Sequence, residues 1–170
     1  MSRERVIRVN PPRVELDTWR ILEAAETDLP RGAAAVSLHS WNERREELLG
    51  RIEPVGVWLS PADDPEALGR DLHALSLVAV HFPKFVDGRG YSTGAVLRRL
   101  GYRGELRAFG DVGRDHLLQL RRCGFDAFVL AAGRDPEAAL AAFNEFSHFY
   151  QGSIEDPVPL FRRRFAEGAA

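Results

Sequence analysis

The stretch from His81 to Tyr102, HFPKFVDGRGYSTGAVLRRLGY, gathers Lys84, Asp87, Arg89, Tyr91 and Ser92 around Gly88 and Gly90, just ahead of a helical pattern. Glycines let backbone N–H groups approach a ligand, a helix start carries positive partial charge, and a guanidinium binds two oxygens at once. Residues 84–92 therefore suit a small anion such as phosphate, sulfate, sulfite or a carboxylate. The plainer alternative is a connection in which Asp87 or Ser92 caps the helix and Arg89 pairs with a carboxylate. As a dinucleotide fingerprint, Gly88, Gly90 and Gly94 are a weak match: the spacing is G-x-G-x-x-x-G, and Pro83 and its neighbours separate it from the preceding apolar run.

A second polar group follows in FGDVGRDH, with Asp111, Arg114, Asp115 and His116, while Arg107 lies within the apolar run before it. Asp111 has the chemistry of a general base, a metal ligand or a partner for Arg89. Asp115 is more simply a helix cap. His81, at the end of its own apolar run, is expected near enough to Asp111 for an acid–base pair, although a histidine there is more often a hydrogen-bonded core residue. Arg89 and Arg107 form the expected anion clamp, helped by the amides of Gly88 and Gly90. The single cysteine, Cys123, reads as a small buried hydrophobe. One thiolate supports neither an internal disulfide nor a cysteine-ligated metal or iron–sulfur centre. No metal site is expected, and the residues leave any cofactor unknown.

The elements that must position these groups begin near residue 33. Runs AAAVSL, VGVWLS, LVAVHF, GELRAFG and FDAFVLA each precede a helical pattern. Ser40 and Glu43 have capping-box spacing, and Asp64 precedes Pro65 as an N-cap before the first helical position. Strands that are apolar throughout predict a mostly parallel sheet with helices on both faces. The expectation is one α/β domain of about five β-α units, built as an open three-layer sandwich. A partial β/α barrel is the alternative, disfavoured because its exposed edges need a partner chain. Ligands then bind at the carboxyl ends of the strands, where loops 81–92 and 110–115 would meet. Residues 1–32 read as a peripheral segment with an extra strand and helix in RVELDTWRILEAAE, residues 33–150 as the core, and 151–170 as an extended tail.

Composition narrows the function classes. With 45% hydrophobic and 28% charged residues among 170, the chain falls in the range of folded globular domains. A net charge of −2 gives no global field for nucleic acid or an anionic membrane, and the run Arg162–Arg164 is thin support for nucleic-acid binding. No signal-peptide pattern or membrane-length apolar run stands out, so a cytoplasmic location is expected. Phe143, Phe146, Phe149 and Tyr150 are expected to pack on the sheet or on the second subunit of a homodimer.

The blocks FPKFVDGRGYS and LRRLGYRGELRAFGDVGRDHLLQLRRCGFDAF resemble the bacterial domain of unknown function family 934, commonly described as probable oxidoreductases involved in sulfite reduction. The likeness is strong from about Val55 to Leu130. Phe82, Pro83, Phe85 and Asp87 to Ser92 fill a first signature, Gly104 to Arg107 with Gly110 to Val112 a second, and Cys123 to Asp126 a third. Asp115 and His116 stand where the family favours aspartate–glutamine. The resemblance implies a setting beside sulfite reductase and sulfate-activation enzymes. Three functions follow as expectations: an accessory protein binding an oxyanion or sulfur intermediate at 84–92, a non-catalytic docking subunit for sulfite reductase, or a nicotinamide- or flavin-dependent oxidoreductase. The missing cysteine set and the weak fingerprint speak against an independent redox enzyme.

Overall fold

The computed structural model describes residues 5–26, 28–146 and 149–162. Six parallel strands form the body of one sheet: β3 (Arg20–Ile21), β4 (Ala34–Ser37), β5 (Val55–Leu59), β6 (Leu77–Phe82), β7 (Glu105–Gly110) and β8 (Ala127–Phe128). Beyond β8 the sheet continues through a hairpin of β1 (Arg5–Val9), antiparallel to β8, and β2 (Pro12–Leu16). The resulting order is β2-β1-β8-β7-β6-β5-β4-β3.

That order forces curvature. Laid flat, eight strands put the two edges about 34 Å apart. Yet β2 and β3, on opposite edges, are joined by only Asp17, Thr18 and Trp19, and the step from Leu16 to Arg20 spans at most about 14 Å. The sheet therefore curls into a half-barrel, with residues 17–19 strapping its two edges together.

The helices lie on the convex face. They are α1 (Leu38–Glu43), α2 (Arg45–Leu49), a 3₁₀ segment (Pro65–Ala74), α3 (Arg89–Arg99), α4 (Arg114–Arg122) and α5 (Pro136–Ala139), which runs into a 3₁₀ turn (Leu140–Asn144). Trp41, Leu72, Leu97, Leu120 and Phe143 from these elements share one core with Val57, Val78, Val80, Leu106 and Phe128. Alternate strand residues point the other way, and there Ala35, Leu77 and Ala79 pack with Trp19, Ile21, Trp58 and Phe109. Among the described residues no helix residue joins this second cluster. The protein is thus the expected single α/β domain in its partial-barrel form. Strands buried on both faces are explained by curling of the sheet over its own concave side, where the open sandwich would have required a second helical layer.

Local details depart from the sequence pattern for identifiable reasons. Ser37, not Ser40, caps α1, its hydroxyl accepting from the Ser40 N–H at 3.1 Å. Asp64 does cap its segment, accepting from the Glu66 N–H, but the pattern that follows is a 3₁₀ run kinked at Gly69. At α4 the cap position is Gly113, whose N–H donates to His116 Nδ1 at 3.0 Å, so Asp115 is not the cap. The expected helix in RVELDTWRILEAAE gives way to β2, the strap and β3, and the N-terminal residues build both sheet edges. The tail is tied to α4, with the Ile154 N–H donating to the Arg122 carbonyl and Arg121 paired to Glu155. Of the arginine run, Arg163 and Arg164 lie outside the described residues. Among the described residues no helix is long and apolar enough to cross a membrane.

Candidate functional site

Loop 84–92 joins β6 to α3. The Asp87 carboxylate receives the Arg89 N–H at 3.2 Å, Nε at 3.0 Å and Nη2 at 2.8 Å. These bonds from Arg89 hold the Asp87 carboxyl below its ordinary range. The Arg89 fork is therefore engaged by its own neighbour, while Lys84, Gly88 and Ser92 are exposed. Asp111 anchors the loop by accepting the Phe85 N–H at 2.9 Å.

Two of the glycines have a packing role. A Cβ on Gly90 would lie 2.4 Å from Cζ of Phe82, and one on Gly94 would lie 2.3 Å from Cε2 of Phe125. One helical turn apart, they leave a bare stripe on α3 against which both rings seat. Tyr91, half-buried, meets Phe82 edge-on at 5.6 Å.

The other candidates sit on the concave face. Arg107 is fully buried; its Nη1 donates to Asp17 Oδ2 at 2.6 Å and its Nε to Glu105 Oε1 at 2.8 Å. Its Nη2 lies 2.6 Å from the same Glu105 oxygen but off the axis for a hydrogen bond. Asp17 Oδ1 in turn accepts the Trp19 N–H at 3.0 Å. Arg107 thus fastens the strap, and it does not converge with Arg89, whose helix lies on the convex side. His81 and Asp111 form no hydrogen bond or ion pair with each other.

Instead, His81 belongs to an aromatic corner. Its ring stacks on Phe109 with centroids 4.9 Å apart at 27°, and Trp58 stands nearly perpendicular to both rings, at 6.2 Å from each. The pairing His81↔Phe109 at the carboxyl ends of β6 and β7 makes these residues neighbours, and Trp58 lies two strands from Arg107 in one register row. The Trp58 Nε1–H donates to the Leu22 carbonyl at 2.9 Å, which fixes the indole. The corner opens on a pocket of about 770 Å³, closed by Asp17, Trp19 and residues 20–24. This volume lies within the range of small-molecule sites. Gly110, at φ +101, is essential to this geometry, since a Cβ there would meet the Phe82 carbonyl oxygen at 2.4 Å and His81 Cδ2 at 2.8 Å.

A family model described as a bacterial protein of unknown function, domain family 934, matches residues 56–161. The chain belongs to that family. The matched segment carries Trp58, His81, Arg107, Phe109 and loop 84–92, whereas the facing wall, Asp17 to Ala24, precedes it. No curated protein matches the chain. Among the described residues no group of three His, Cys, Asp or Glu side chains is placed to hold a metal ion.

Burial holds the His81 imidazole below its ordinary value, because the cation would lose water without gaining an acceptor. The unfolded chain then takes up this proton near pH 6.5 and the folded chain only below that. Stability should fall as pH drops through about 6.5 and level off beneath the folded-state value. An NMR titration of the His81 ring is expected to give a midpoint below about 6.5, and His81→Phe should flatten the acid-side fall in Tm. A midpoint above the ordinary value would contradict this.

Proposed function

We propose that the protein is a small-molecule-binding accessory protein, working in the sulfate- and sulfite-reduction setting that its family resemblance implies, with the ligand held in the concave pocket. The observation that carries this is His81: both ring nitrogens lack a hydrogen-bond partner among the described residues, and the ring lines a pocket at the carboxyl end of the parallel strands. A neutral imidazole there can donate or accept one hydrogen bond, or move one proton, at a bound ligand. Asp17 and Arg107 hold the opposite wall.

An oxyanion on loop 84–92 is the second reading, favoured by the exposed Lys84 ammonium, which makes no hydrogen bond or close ion pair among the described residues and precedes the start of α3. It requires Arg89 to leave Asp87. Thermal unfolding against sulfite, sulfate, phosphate, adenosine phosphosulfate and reduced nicotinamide cofactor separates the two, using wild type, Trp58→Ala and Arg89→Ala. A ligand at one hundred times its dissociation constant stabilises the fold by about 2.7 kcal/mol. A shift lost in Trp58→Ala and kept in Arg89→Ala is expected. The reverse pattern would move the site to the loop.

A further inference from the structure

We propose that the concave pocket selects an uncharged, planar heteroaromatic ring, such as a nucleobase, nicotinamide or flavin ring system, laid against the Trp58–His81–Phe109 corner with a polar edge on His81. The inference rests on the concave pocket being the binding site and names the class of its ligand.

Three features point to this class. The first is shape: the His81–Phe109 stack and the Trp58 plane meet at 78–83°, so a flat ring can stack on one wall while meeting the other edge-on, the two arrangements aromatic pairs prefer. A saturated ring has no π face to stack on one wall and no aromatic edge to present to the other.

The second is charge. Of the charged groups lining the pocket, Asp17 is bound to Arg107, Arg20 is bound to Glu26, and Glu23 adds a carboxylate that would repel an anion. Among the described residues no unpaired cation lines the wall to compensate an oxyanion, and a bare charge moved out of water without a partner is strongly disfavoured. The neutral state of His81 adds no positive field.

The third is the distribution of polar atoms. The Trp58 N–H is engaged by the Leu22 carbonyl, so the indole offers only its π surface. His81 alone in the corner keeps hydrogen-bonding nitrogens unpartnered, and a ring nitrogen, exocyclic amine or carboxamide on the ligand edge supplies the complement. Among the aromatics, then, one wall stacks and one atom reads the edge.

The test is an NMR titration of the full chain with adenosine, nicotinamide, cyclohexanecarboxamide and sodium sulfate as probes, following the His81 ring and the Trp58 indole N–H. Adenosine and nicotinamide are expected to shift both signals saturably, with cyclohexanecarboxamide about tenfold weaker or worse and sulfate inert. Trp58→Leu should weaken the aromatic probes by about tenfold, and His81→Phe, read at the Trp58 indole N–H, should weaken adenosine and nicotinamide by a similar factor through loss of the edge hydrogen bond. Equal binding of the saturated carboxamide, or a response to sulfate alone, would overturn the ligand class while leaving the pocket as the site. No response at His81 or Trp58 to any probe would overturn both.

Discussion

Arg107→Met is expected to lower the stability of the fold by about 3–5 kcal/mol, the usual cost of removing one partner from a buried ion pair. Arg107 is wholly buried, its partner Asp17 is 3% exposed and Glu105 13%. Without the guanidinium, Asp17 loses its charge partner in a region that water hardly reaches, while Glu105 keeps its pair with Arg8. For a domain of this size the loss corresponds to a Tm drop of roughly 6–20 °C. Arg107→Met combined with Asp17→Leu removes the orphaned charge and should recover part of it. Calorimetry on the three proteins checks this; a loss under about 1 kcal/mol, the figure for an exposed pair, would show that the network is solvated. The substitution should also loosen the strap, because Asp17 ties Arg107 directly to the Trp19 N–H.

Gly90→Ala separates packing from ligand binding at the glycine loop. Gly90 is the second residue of α3, where alanine gains at most about the 0.5–1 kcal/mol of a helix interior over glycine, so a glycine kept only for a ligand should leave a protein at least as stable when replaced. Here the new methyl group would overlap the Phe82 ring, which is 2% exposed and flanked by Tyr91 and Phe125 at 5.6 and 6.1 Å. Overpacking of this kind costs about 1–3 kcal/mol, and the net effect should be destabilising. Phe82→Leu in the same chain opens space, so the pair of substitutions should cost less than the sum of the two singles. A stabilised Gly90→Ala protein would return the glycines to a ligand-binding role.

What the sequence disclosed follows from the range of the forces involved. β5, β6 and β7 and the Asp64 cap rest on local patterns, and all stand where the residue runs put them. The curl of the sheet was hidden, because it depends on the three-residue strap meeting strands far away in the chain. The Asp17–Arg107 pair spans 90 residues, and no local rule marks Asp17 as the partner. Yet one signal was present. In ELRAFG, Glu105, Arg107 and Phe109 alternate with the apolar Leu106 and Ala108, a period-two pattern that marks one polar strand face. Read with Trp58, in register with Ala79 and Arg107, and with His81, in register with Phe109, it outlines the concave site. Loop 84–92 drew attention through Gly88 and Gly90, and of these Gly90 serves aromatic packing; the corner at His81 has no such composition and emerges only from strand register.

The most direct measurement of the central claim is a crystal structure of the full chain soaked with a panel of small polar aromatic and oxyanion fragments. The concave pocket as the binding site predicts that fragments gather against Trp58, His81 and Phe109, with at least one hydrogen-bonded to a His81 nitrogen. Density confined to Lys84, Arg89 and the start of α3, with the pocket empty across the panel, would contradict it.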